Sequence, residues 1–200
     1  EQILALDLQA APGEQFIYSN AGAHLVSAIL TEAAGEPVLD YARRALFGPL
    51  GVSTEPAYTG YEPGTGSAAF EAAGFAWATD PDGIQNGCCM LKLTADDLVA
   101  LGQLYLDQGQ VAGQEIVPAD WVTASTRPSA ANVDYGYLWY RGHIRGTPAF
   151  AASGFPSQLI VVVPDRRAVI TVATVGTDQA ALEFEDAIAM IDEVIAPTIG

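Results

Sequence analysis

Lysine is almost missing: the 200 residues contain one, Lys92, and Lys and Arg together number 8 against 24 Asp and Glu, a formal net charge of −16. So acidic a surface keeps a protein soluble and repels polyanions, which argues against nucleic acid or an anionic membrane as a partner. Cysteine is as scarce, with Cys88 and Cys89 side by side. Neighbours in sequence make a strained disulfide, and neither stands in a CxxC or Cys/His cluster, so no zinc site is expected. The two histidines, His24 and His143, lie far apart without carboxylates at ligand spacing; no metal or other cofactor is expected. His24 reads as a half-buried packing residue in mid-helix, and His143 as a solvated residue of a strand-to-strand loop. No apolar run approaches the ~20 residues that span a bilayer, and nothing at Glu1 has the form of a signal peptide. The chain opens in Glu1-Gln2-Ile3-Leu4 without an initiator Met, which reads as a processed or excised piece.

Several motifs of catalysis are absent as well. There is no GxxxxGK[ST] loop and no GxSxG elbow, and Gly64-Thr65-Gly66 lacks the strand-to-helix setting of a dinucleotide loop. A Ser-x-x-Lys pair ending at the single lysine would need serine at position 89, where the chain has Cys89. Cys89-x-x-Lys92 has the spacing of a thiol activated by an amine. The plainer reading is a solvated lysine in front of the helix that Thr94 caps.

What is present is a strand-rich second half. Residues 135–140, 149–155, 158–163 and 168–174 are apolar runs rich in Val, Ile, Tyr, Trp or Phe. Their short connections leave no room for a crossover helix, so the strands should run antiparallel. Leu159 to Val163 and Ala168 to Val172 are nearly unbroken, which predicts cover on both faces of the sheet. One cover is an amphipathic helix over 179–196, with Ala181, Leu182, Phe184, Ile188, Ile191, Val194 and Ile195 at helical spacing. The other must come from residues 1–130. There, 1–11 reads as a short helix or turn. Ser19 or Asn20 caps a helix running to Ala34, with Leu25, Val26, Ile29 and Leu30 on its buried face. Gly35 ends it, and Pro37 opens the next, which stops at Pro49-Leu50-Gly51. Residues 52–87 show no periodicity and read as loops, and loops this long inside a domain are usually functional. Thr94, with Asp97 as a capping-box variant, starts a helix with a Leu98, Leu101, Leu104, Tyr105 stripe. Gly109 to Gly113 is a turn, and Pro118 opens a short helix through Trp121 and Val122.

Among these pieces Tyr18-Ser19-Asn20 stands at a loop-to-helix junction. A phenol there can serve as a general base when a nearby cation lowers its pKa, and an asparagine amide can donate to a substrate carbonyl. Taken alone, Tyr plus Asn at a helix start is usually packing plus a helix cap.

The order of four blocks resembles the serine hydrolases of the class C beta-lactamase and penicillin-binding-protein-like family, with their esterase and D-aminopeptidase relatives. The first block is Pro12-Gly13-x-x-Phe16-x-Tyr18-Ser19-Asn20-Ala21-Gly22. The second is Phe47-Gly48-Pro49-Leu50-Gly51. The third runs from Leu91-Lys92-Leu93-Thr94 through Leu104-Tyr105-Leu106 to Ile116-Val117-Pro118-x-x-Trp121-Val122. The fourth joins Tyr135-Gly136-Tyr137-Leu138-Trp139, Ala152-Ser153-Gly154 and Val163-Pro164-Asp165. Nearly the whole chain is covered, as the C-terminal portion of such an enzyme.

The resemblance implies an α/β (α+β) fold, an antiparallel sheet flanked by helices plus a helical region, incomplete at the N-terminus. It divides the chain into a mainly helical region, 1–130, with the Tyr-x-Asn and cleft loops, and the strands and C-terminal helix, 131–200, as one interdependent unit. Tyr18 takes the base-side role and Asn20 orients substrate. Ala152-Ser153-Gly154 stands where the family has Lys-Thr-Gly on an edge strand, so Ser153 and Gly154 line the site and the Phe155 N–H is an oxyanion donor. The family's Ser-x-x-Lys nucleophile lies upstream of Tyr-x-Asn and is not in this chain, which by itself should be inactive. Ala152 replaces the cation with which beta-lactamases hold a substrate carboxylate, favouring an ester, amide or peptide without one. The expected partners are that small-molecule substrate and a missing N-terminal segment or second chain that completes the sheet; its open edge near 169–174 could otherwise dimerise or swap. Relatives imply a bacterial source, and cytoplasmic and extracytoplasmic placement both stay open. The alternatives are a non-catalytic member of the fold that binds a ligand or partner, and an unrelated acidic α/β interaction domain.

Overall fold

Ser19, in an extended conformation at φ −145° and ψ 109°, accepts the Gly22 N–H on its Oγ at 3.0 Å and so starts helix α1 (Asn20–Ala34). In this computed structural model residues 2–61, 67–174 and 182–198 are described, in two compact units, Glu1–Thr94 and Ala95–Gly200. Before α1 the first unit has a single 3-10 turn, Ile3–Ala5. Gly35 closes α1 at φ 68°, a left-handed position that costs a residue without Cβ little. Pro37 then caps α2 (Val38–Ala42), which runs on through a π-helical stretch, Arg43–Phe47, into α3 (Gly48–Leu50).

Leu39, Ala42 and Phe47 from this helical run meet Val52 and Phe75 in a buried cluster, with Trp77 and Leu93 packed against it. The segment expected to be loops contains three elements: β1 (Ala57–Tyr58), α4 (Ala68–Ala72) and β2 (Phe75–Trp77). With β3 (Leu91–Lys92), the strands form a small sheet in which β2 pairs parallel to β1 and antiparallel to β3. Elements of two to five residues are too short to show a hydrophobic period, which is why the sequence reads them as loops. Pro63 and Gly64-Thr65-Gly66 lie outside the described residues.

The buried face expected for α1 is corrected in part. Leu25 and Leu30 are half-buried, but Val26 and Ile29 are 59 % and 58 % exposed, whereas Ser27 is buried at 5 %. A polar side chain thus shares this face: Ser27 Oγ donates to the Gln85 carbonyl at 2.7 Å. A hydroxyl that reaches a buried carbonyl can hold a face that an apolar stripe would leave unsatisfied.

In the second unit α5 (Ala95–Leu106) is followed by a tight hairpin of β4 (Gln110–Val111) and β5 (Gln114–Glu115), then α6 (Ala119–Thr126). The main sheet has β6 (Tyr140–Ile144), β7 (Thr147–Gly154), β8 (Gln158–Val163) and β9 (Ala168–Val172) in sequence order, all antiparallel. All five residues from Leu159 to Val163 are buried, as the unbroken apolar run predicts. Leu159, Val161 and Val163 turn to one face, against Ala187 and Ile191 of the C-terminal helix α7 (Phe184–Met190) and its continuation through Thr198. Ile160 and Val162 turn to the other and meet Leu98, Leu101 and Leu106 of α5. The second cover is therefore α5. The part of the expected C-terminal helix before Leu182, including Ala181, lies outside the described residues.

Two strand expectations shift. The first strand begins at Tyr140, where the expected one ended, because Leu138 takes a left-handed φ of 65° and the Gly136 N–H turns back to the Trp139 carbonyl at 2.8 Å. His143 is consequently in β6, not in a loop, and is exposed as expected.

Candidate active site

The residues expected to carry chemistry fall on both units: Tyr18 and Asn20 on the first, Ser153, Gly154 and Phe155 on the second. Tyr18 and Asn20 flank the Ser19 cap. Tyr18 is 58 % exposed and Asn20 stands exposed in the first turn of α1. The cap consumes the Ser19 hydroxyl and leaves both flanking side chains to solvent, so neither is spent on the cap or the core. Among the described residues no cation is paired with the Tyr18 hydroxyl.

One turn further along, His24 is not a packing residue. Its Nε2 lies 3.0 Å from Asp80 Oδ2, and its Nδ1 accepts the Gly87 N–H at 3.2 Å. A backbone N–H can only donate, so Nδ1 is the acceptor and Nε2 carries the proton. Asp80 also accepts the N–H groups of Asp82 and Ile84, each at 2.9 Å. Burial alone would raise this carboxyl, but the His24 hydrogen bond and the two backbone donors outweigh it and hold it below the usual carboxylate range. Gly87 lies so close to α1 that a Cβ on it would meet the Ala23 carbonyl oxygen at 2.4 Å. Together these contacts fix the beginning of α1, and with it Asn20, to the 79–87 loop. Sequence reasoning missed this link. The turn signature Asp80-Pro81-Asp82-Gly83 is visible, but nothing in it points to a histidine 56 residues earlier.

On the second unit the strand β7 changes character along its length. Its ladder with β6 runs from Ile144↔Thr147 to Tyr140↔Ala151, while its ladder with β8 continues to Gly154↔Gln158. Thr147 to Ala151 are thus interior. Among the described residues, Ala152, Ser153 and Gly154 are paired on the β8 side only, so the expected edge strand is an edge over these three residues. Phe155 follows, 92 % exposed. Ser157 is buried and donates to the Leu182 carbonyl; the Gln158 amide bonds the Thr174 backbone at 2.6 and 3.1 Å. These bonds hold the turn after Gly154. Around Gly154 an added Cβ would have only ordinary contacts, 3.6 Å to Gln158 Cβ and 4.0 Å to its carbonyl oxygen. Packing among the described residues therefore does not demand glycine there.

Lys92 and Cys89 do not form a thiol–amine pair. Lys92 is not simply solvated: its Nζ donates to the carbonyls of Glu71 at 2.6 Å and Phe70 at 3.3 Å, closing the C-terminal end of α4. Cys89 is exposed as a residue and its Sγ lies 2.9 Å from Cys88 Sγ; partial desolvation of the sulfur, then the bond to Cys88, pushes its thiol up to about 12. A thiol held in that state is a poor nucleophile.

A groove lined by His143, Arg145, Phe184, Ile188 and Asp192 lies at the other end of the β6–β7 hairpin from Ala152–Gly154. It is stabilised by the Arg145 N–H on Asp192 Oδ1 at 2.5 Å and holds none of the expected site residues.

The family model Beta-lactamase matches residues 1–194. The chain belongs to the beta-lactamase family. No curated protein matches it. Among solved structures it is similar to a Bacillus anthracis protein named "Putative 6-aminohexanoate-dimer hydrolase", with a TM-score of 0.73 and 16 % identity. The match covers 97 % of this chain and 46 % of the other, so the chain spans less than half the length of that protein. At this identity the likeness speaks for the fold. This beta-lactamase-family chain therefore has the α/β fold of a hydrolase family, with helices on both faces of its antiparallel sheet.

Proposed function

We propose that this chain is the C-terminal part of a serine hydrolase that works through an acyl-enzyme on an ester or amide, as an esterase, peptidase or beta-lactamase-like enzyme. The observation that carries the reading is that, among the described residues, Tyr18 and Asn20 stand exposed beside the Ser19 cap, while Ala152–Gly154 pair with β8 and have no strand on their other side. The nucleophile is the serine of a Ser-x-x-Lys segment outside these 200 residues. Its hydroxyl attacks the substrate carbonyl, and the proton passes on the Tyr18 side. The Asn20 amide orients the substrate. The Phe155 N–H donates to the oxyanion of the tetrahedral intermediate, which collapses to the acyl-enzyme and releases alcohol or amine. Water then hydrolyses the ester. A substrate laid along Ala152–Gly154 would take up the free backbone groups of that edge. With Ala152 in place of a cation, a substrate without the recognition carboxylate is favoured. The same reading assigns the free edge of β9 to strands of the missing segment or of a second chain.

A fluorophosphonate probe, followed by intact-mass measurement, tests this on the isolated chain and on the protein from its native source. An adduct on a longer or second polypeptide in the native protein, with none on the isolated chain, is the expected result. An adduct on the 200 residues alone would overturn the placement of the nucleophile. No adduct on either would favour a non-catalytic member of the family that binds a ligand or partner.

A further inference from the structure

Cys88 and Cys89 take no part in the chemistry above, yet their surroundings are specific. The two Sγ atoms are 2.9 Å apart, and Cys89 is exposed. The pair stands between two fixed points. On one side Gly87 donates to His24 Nδ1 and is pressed against the Ala23 and His24 backbone of α1. On the other Met90, at φ 62°, accepts the Ala78 N–H at 3.0 Å and packs on the Phe70, Ala76, Ala78 cluster.

We propose that Cys88 and Cys89 form a vicinal dithiol that low-molecular-weight disulfides oxidise reversibly to a ring disulfide, and that closing the ring is felt at α1 through Gly87. Proximity makes the reaction intramolecular, since the second sulfur is already beside the first. Strain makes it reversible. A relaxed disulfide spans Cα separations of about 4.4–6.8 Å, whereas sequence neighbours are about 3.8 Å apart across a trans peptide. Strained, exposed disulfides are the ones that are readily reduced again.

The step balances. The thiolate of one cysteine displaces one thiolate from the disulfide RSSR and forms a mixed disulfide. The neighbouring thiol, 2.9 Å away, gives up its proton to water, attacks the sulfur of the first and expels the second thiolate. One S–S bond forms in the protein, and RSSR is reduced to two RSH. With Gly87 and Met90 both fixed, the bend of the ring has to be taken up at those two junctions.

The test uses a redox series of reduced and oxidised glutathione. The expected product is a monomer lighter by two hydrogens, restored by dithiothreitol. Phenylarsine oxide, which bridges dithiols, should bind the reduced form and not the oxidised one. In Cys89→Ser the resolving sulfur is gone, and a lasting glutathione adduct on Cys88 is expected. Hydrogen exchange at the Gly87 amide should quicken on oxidation. A lasting adduct on the native pair, a covalent dimer, or no mass change would overturn the dithiol. A Cys88 that forms no adduct in Cys89→Ser would overturn its part in the exchange. Ring closure with unchanged exchange at Gly87 would overturn the coupling to α1.

Discussion

His24 Nε2 and Asp80 Oδ2 meet at 3.0 Å and join the second turn of α1 to a turn 56 residues later. Both side chains are largely covered, 14 % and 20 % exposed, so the bond is worth more than an ion pair in open solvent. With Gly87 on the other ring nitrogen, it holds in place the helix that presents Asn20.

Removing the carboxylate should show both the bond and its pH dependence. Asp80→Asn is expected to cost about 1–3 kcal/mol at neutral pH, since it weakens three accepted hydrogen bonds at once. The carboxyl is held below its unfolded value, so its contribution is present above that value and is lost as pH falls through the folded one. Urea unfolding from pH 7 downward should therefore show the gap between native and variant closing below about pH 4. A gap that stays constant there would mean that Asp80 is not held as a carboxylate by these partners.

Gly87→Ala tests the close approach to α1. The new methyl would sit 2.4 Å from the Ala23 carbonyl oxygen and 3.0 Å from His24 Cα, both backbone atoms that cannot swing aside. A loss of about 1–3 kcal/mol is expected by thermal or urea unfolding. A variant as stable as the native chain would show that the loop and α1 can separate cheaply.

Gly154→Ala should behave in the opposite way. Its methyl meets nothing closer than 3.6 Å, so stability should stay within about 0.5 kcal/mol. In the native protein that bears the nucleophile, the same methyl would project at the open edge and should raise KM for an ester substrate. Unchanged KM and kcat would remove Gly154 from the site.

Tyr18→Phe and Leu159→Ala separate chemistry from folding. Tyr18 is 58 % exposed, and loss of its hydroxyl should leave unfolding unchanged while turnover in the native protein falls by about 10²–10⁴. Leu159 is fully buried in the sheet core, and its truncation should cost about 2–5 kcal/mol. If Tyr18→Phe keeps full turnover, the phenol is not on the proton path.

Much of this could be read before the fold was known, and the reason differs from residue to residue. Leu159 to Val163 announced a strand buried on both faces because alternation disappears when both faces are covered. Gly35 and Ser19 marked the ends of α1 because capping is a local matter of a few backbone groups. Tyr18, Asn20 and Ala152-Ser153-Gly154 are candidates through the family's order of blocks, and the site role proposed for them awaits the substitutions above. The small sheet of β1, β2 and β3 was not legible, since strands of two or three residues carry no period. Nor was the exposure of Val26 and Ile29, because a helix shows its apolar positions in sequence without showing which side meets a neighbour.

The sequence by itself determined the ends of α1, the doubly buried strand β8, that the strands run antiparallel, and that an apolar sheet needs two covers. Those features follow from propensity, periodicity and connection length, all of them short-range. Tertiary structure alone decided that His24 binds Asp80 and Gly87, that Lys92 closes α4, that β7 becomes an edge only beyond Ala151, and that Cys89 rests on Cys88 with its proton held. Each of these depends on where side chains and ladders end in space, on burial, and on partners that local sequence does not specify.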